Sequence, residues 1–204
     1  IVIYIYIQKG ARKNLVYLFF DTETTGLPNG PTSDYQNWPR LIQIAWLLID
    51  ENKNVKSKNS YIIRPDGYKI PHRVIKIHGI TMKRALDEGV AIDYALHRFL
   101  GDSNYAEVLV AHNIAYDYGV IRGEMLRKKI PDFLKGYSQF CTMTSKPVLD
   151  YCKNFRSSGS RQCPSLSELY FLLFGKKLVN AHDALIDAEA CANCFFELKR
   201  IGLI

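Results

Sequence analysis

Residues 17–27 read YLFFDTETTGL, an apolar run that stops at two acids spaced i, i+2, set among threonines and followed by a glycine. A strand that only packed a core would need no carboxylates at its tip. Period two places Asp21 and Glu23 on one face, a few ångströms apart, where they repel each other and a cation relieves the repulsion. Hard oxygen donors of this kind suit Mg²⁺ or Mn²⁺ rather than zinc. Taken alone, the pair also fits a solvated strand end, because Asp-x-Glu is common by chance.

Two later stretches repeat the pattern of an apolar element that carries an acid. In LVAHNIAYDYGVI (109–121), a strand over 107–111 leads into His112 and Asn113, and Asp117 opens the helix that follows. An acid there also complements the helix dipole. In NAHDALIDAEA (180–190), His182 precedes a helix, Asp183 is its candidate N-cap and Asp187 lies about one turn inside. Asp187 falls among Ala184, Leu185, Ala188 and Ala190, an unusually apolar setting for a carboxylate. A neutral histidine beside it can serve as a base.

In this order and at this spacing, FDTETTG (20–26), AHNIAYD (111–117) and HDALIDA (182–188) resemble the three motifs of the DEDDh group of 3′–5′ exonucleases, the epsilon-type proofreading family. IKIHGIT (75–81) resembles that group's linking segment, and the likeness covers about residues 15–198. The resemblance implies the ribonuclease H-like fold and two divalent ions, Mg²⁺ or Mn²⁺, held by Asp21, Glu23, Asp117 and Asp187. It implies Asp21 as the ligand bridging both ions, Glu23 and Asp187 on the ion that carries the nucleophile, and Asp117 on the other. His182 is then the base that takes a proton from the attacking water; a tyrosine there would mark the sister group. Backbone amides at Thr24, Thr25, Gly26 and Leu27 are expected to cradle the 3′ end. Leu27, Ile77, His78 and Ile80 are expected to wedge or stack on the last bases, with ordinary core packing the alternative for the two isoleucines. Asn113 is expected to orient the second motif or touch a phosphate.

The activity so implied is release of nucleoside monophosphates from single-stranded DNA 3′ ends, with RNA trimming as the alternative. A non-catalytic nucleic-acid-binding module would be expected to have lost an acid or the histidine, and all five are present. The basic clusters at 82–84, 127–129 and Lys176–Lys177 either track a nucleic-acid backbone or are solvated faces. A polymerase or another replication or repair protein is the candidate partner. Against it, only seventeen residues follow Asp187, too few for the polymerase-binding tail of bacterial proofreading subunits. Tyr116 and Tyr118 stand where many members carry phenylalanine, a change tolerated if the hydroxyl finds a partner.

The bulk composition fits this reading. A chain of 204 residues with 48% hydrophobic and 23% charged residues is expected to be one globular domain over 15–204, behind an extension at 1–14. The net charge of +7 favours a polyanionic partner only weakly. Five cysteines, an odd count, suit a reducing cytoplasm rather than a disulfide scaffold. Cys191 and Cys194 lie in a helical pattern with no knuckle between them, so they read as small core residues rather than zinc ligands. The opening IVIYIYIQKGARKN fits neither a signal peptide nor a membrane span and reads as an extra edge strand.

Apolar runs at about 15–20, 41–49 and 59–64 predict an antiparallel meander, followed by strands at 107–111 and 138–142. Helices are predicted over 79–89, 91–101, 116–130, 165–175 and from about 184 to the end. The fourth opens with a capping box of Ser165 and Glu168. The fold class is α/β, a mixed five-stranded sheet flanked by helices on both faces.

Overall fold

Alternation along the first strand sets the architecture, because each of its faces feeds a different core. The computed structural model describes residues 14–31, 34–155 and 163–204. Strand β1 (Val16–Thr24) sits at the centre of a five-stranded sheet with β2 (Leu41–Asp50), β3 (Val55–Ile62), β4 (Val108–Ala111) and β5 (Ser138–Cys141), in the order β3-β2-β1-β4-β5. β1 pairs antiparallel with β2, and β2 with β3; β4 is parallel to both β1 and β5. Three antiparallel strands followed by parallel ones is the sheet the sequence predicted.

Helices α1 (His72–His78), α2 (Met82–Glu88), α3 (Ile92–Ser103), α4 (Ile114–Arg127), α5 (Lys146–Lys153), α6 (Leu166–Phe174) and α7 (Ala184–Arg200) complete the chain. Leu18 and Phe20 turn to a core shared with Trp46, Phe99 of α3 and Val120 of α4. Tyr17 and Phe19 turn the other way, against Ala188, Cys191 and Phe195 of α7. Each fully buried side chain of this size contributes about 1.5–3 kcal/mol of transfer free energy. The alanines and cysteines of α7 are the small residues that bring this helix close to the strand. Cys191 packs toward β1, whereas Cys194 packs with Val148, Cys152 and Leu169. The two thiols thus serve separate cores, as small apolar residues would.

β1 runs through both acids to Thr24, as the sequence reading placed them at its tip, and Asp21 and Glu23 pair with Ala45 and Gln43 of β2. Elsewhere the chain departs from that reading. β3 begins at Val55, inside a polar stretch read as a loop; an edge strand with a solvated face needs no apolar run. α1 and α5 were not anticipated. α6 carries its capping box as predicted and closes on Gly175 in the left-handed conformation. The strand expected within 1–14 falls on residues outside the described ones, apart from Asn14. Among the described residues no helix is long and apolar enough to cross a membrane.

Candidate active site

Continuing the alternation of β1 past Phe20 decides where each polar side chain points. Asp21 and Glu23 follow Tyr17 and Phe19 onto the face covered by α7, and Thr22 and Thr24 follow Leu18 and Phe20 toward α4. Asp117, in the first turn of α4, is buried and is held by Thr22 twice: its Oδ1 accepts from the Thr22 N–H at 3.0 Å and from the Thr22 hydroxyl at 2.6 Å. Thr22 therefore fixes the acid of the second motif from inside the first.

α7 delivers the remaining groups. Asp183 caps it, its Oδ1 accepting from the N–H groups of Leu185 and Ile186 at 2.9 and 3.4 Å. His182 sits in the left-handed region, with φ +71°. For a non-glycine residue such backbone costs about 1–3 kcal/mol and persists only where its surroundings hold it. Here the His182 N–H donates to Asp187 Oδ2 at 3.0 Å. That bond leaves the His182 ring exposed and ties the histidine to the acid five residues on. Donor atoms of Glu23, His182 and Asp187 all come within 4.8 Å of one another.

The electrostatics show how crowded these carboxylates are. Burial, then Asp117, Asp187, Glu23 and Asp183, hold the Asp21 carboxyl well above the usual range. Burial, followed by Asp187, Asp117 and Asp183, pushes Glu23 up to about 8. Burial raises Asp117 to about 7 against the two bonds from Thr22, and raises Asp187 against its bond from His182. Oδ1 of Asp187 is buried and has no hydrogen-bond partner. Mutually repelling oxygen donors with one unsatisfied atom fit a hard divalent cation.

The expected nucleotide-binding residues fall into different settings, and one of them lies in a core. Thr24 is buried; its hydroxyl lies 2.8 Å from the Gly26 carbonyl and 2.6 Å from the Tyr116 hydroxyl. The Tyr116 hydroxyl also donates to the Gly26 carbonyl at 2.5 Å, so this tyrosine finds partners and ties down the loop after β1. Thr25 accepts from the Arg40 N–H at 2.9 Å. Gly26 adopts φ +149°, which favours glycine. Leu27 is 78% exposed and Ile77 54%, both open to a ligand. His78 lies close enough to His182 for that residue, after burial, to lower its pKa. Asn113 takes left-handed backbone at the start of α4 and makes no side-chain cap. Ile80 does not belong with the wedge candidates: at 1% exposure it packs with Ile42, Ile70 and Val74, so core packing holds for it.

Gln43 escaped the sequence reading. It is buried in β2 opposite Glu23, its Oε1 accepts from the Ala184 N–H at 3.3 Å, and its Nε2 lies 3.4 Å from Asp183 Oδ2. This one side chain clamps the start of α7 to the sheet. A lone amide in the apolar run LIQIAWLLI was the signal available.

Comparison with known proteins sets this geometry in context. The profile of the family RNase_T, described as Exonuclease, matches residues 18–195. The chain is 30% identical over 181 residues to DNA polymerase III subunit epsilon of Buchnera aphidicola, covering 87% of this chain and 69% of that protein. A solved structure of exonuclease I has the same fold, with a TM-score of 0.72 at 23% identity over 91% of this chain. E. coli exonuclease I in complex with a dT13 oligonucleotide gives a TM-score of 0.71 at 22% identity. The chain spans 41% of the length of each of these solved proteins.

Proposed function

The chain belongs to the exonuclease family, and from that membership we propose that it is a 3′–5′ exonuclease that releases nucleoside monophosphates from single-stranded DNA. The observation that carries the reading is the convergence of Glu23, His182 and Asp187 within 4.8 Å, beside Asp21 and Asp117 in one repelling cluster. Such a cluster costs stability unless a cation or protons neutralise it.

Asp21, Glu23, Asp117 and Asp187 are the residues that would hold two divalent ions. When bound, such ions neutralise the carboxylates, acidify a water and offset the charge on the leaving 3′-oxygen. The chain's own groups supply the rest. His182, exposed at the rim of the cluster, takes the proton of the attacking water, and its backbone bond to Asp187 keeps base and acid in register. The loop at Thr24–Leu27, braced by Tyr116, forms the floor on which the terminal nucleotide rests. Leu27 and Ile77 offer exposed apolar side chains to the last bases, and His78 stands beside His182.

The likeness to a polymerase III subunit and to a nuclease that has been crystallised with oligothymidylate supports DNA over RNA. A side-by-side degradation assay on single-stranded DNA, duplex DNA and RNA tests the choice. The reading expects the fastest loss on single-stranded DNA; preference for RNA would reverse it.

A further inference from the structure

Arg73 lies on α1, outside all three motifs, and its guanidinium reaches the nucleotide floor. A Cβ built on Gly26 would lie 2.9 Å from its Nη2, so the group sits directly over that glycine. Arg40, Arg84, Arg122, Arg127 and Arg200 are each anchored to a carboxylate. Arg73 is exposed and has no such partner among the described residues. Arg73 and Ile77 stand i, i+4 on α1 and share a face. That face, with Gly26 and exposed Leu27, makes a ledge of one free cation and two apolar side chains.

A single strand entering this cluster brings one phosphate per nucleotide, and a planar guanidinium is the side chain best shaped to hold a phosphodiester by two parallel bonds. We propose that Arg73 is a substrate contact, binding a backbone phosphate of the single strand beside the terminal nucleotide while Leu27 and Ile77 meet its bases. The inference rests on the exonuclease reading and adds to it a residue outside the catalytic acids. It also gives the glycine at 26 a second reason: a side chain there would displace the guanidinium from the floor.

The test is fluorescence anisotropy of a fluorescein-labelled oligothymidylate, in Ca²⁺ to hold cleavage down, across a salt series. Arg73→Gln is compared with wild type and with Arg200→Gln, which removes the same charge at the far end of α7. Loss of one phosphate contact should weaken binding about tenfold and lower the slope of log Kd against log salt by about 0.7. Arg200→Gln should leave both unchanged. Because Arg73 is exposed, Tm should hold in the variant. Wild-type affinity and slope in Arg73→Gln would overturn the inference while wild-type cleavage of the same strand in Mn²⁺ leaves the exonuclease reading standing. A wild-type protein that neither binds nor shortens the strand overturns both.

Discussion

At the scale of single residues, the repulsion among the clustered carboxylates costs the fold stability. Asp21 feels three motif acids and Asp183 at once. Asp21→Asn keeps the shape and removes the repulsion. It should cut cleavage on the order of 10³-fold while raising the melting temperature in EDTA, which single-turnover kinetics and calorimetry check together. His182→Ala should behave differently, slowing cleavage about 10²–10⁴-fold with little change in the heat of Mn²⁺ binding. The five catalytic candidates were nameable from the sequence because each lies within a short motif that resembles the exonuclease group's, and strand period added a shared face for Asp21 and Glu23. Gln43 and the Tyr116 hydroxyl were not, because their partners stand 140 and 90 residues away. No local pattern reports a contact of that separation. Burial of Ile80 next to exposed Ile77 was illegible for a related reason: the core that takes Ile80 is built from β2 and the residues around α1.

At the scale of elements, helices with a cap, a clear apolar stripe or a stop signal were found, and two short ones were missed. α6 has a reciprocal cap between Ser165 and Glu168, and α3 a clear apolar stripe. α1 and α5 span only seven and eight residues, too few for an apolar stripe to stand out, even though Ser145 and an early proline mark the start of α5. α4 begins two residues earlier than its pattern suggests, since left-handed Asn113 turns the chain straight from β4 into the helix. The element that matters most for chemistry is the first turn of α7, held to β2 by Gln43. Gln43→Leu leaves the Ala184 N–H buried without an acceptor, at a cost of about 1–3 kcal/mol. It should lower kcat more than it raises KM, because it loosens Asp187 and His182 rather than the nucleotide floor. Steady-state kinetics with urea unfolding distinguish that outcome from a general loss of stability, which would leave kcat per folded molecule intact.

At the scale of the whole molecule, the mixed sheet, three antiparallel strands and then parallel ones, followed from the order of the apolar runs and helical patterns. The cluster's energetic cost did not, because it depends on burial. Glu23 moves from its ordinary 4.5 to about 8, and Asp117 from 3.8 to about 7. The folded state therefore keeps protons that the unfolded chain releases, and stability without metal falls as pH rises through that window. Melting temperature in EDTA should decline from about pH 5 to about pH 8. Mn²⁺ should restore more of it at the higher pH, where protons no longer compete for the carboxylates. A flat profile would mean the acids do not repel as the geometry requires. The most direct test of the central claim uses one strand labelled at either end, with Mn²⁺ or with EDTA. The account predicts that Mn²⁺ releases a 3′ label at once as a mononucleotide and shortens a 5′-labelled strand one nucleotide at a time, with neither change in EDTA or in Asp21→Asn. Internal fragments, shortening from the 5′ end, or equal cleavage in EDTA would contradict it.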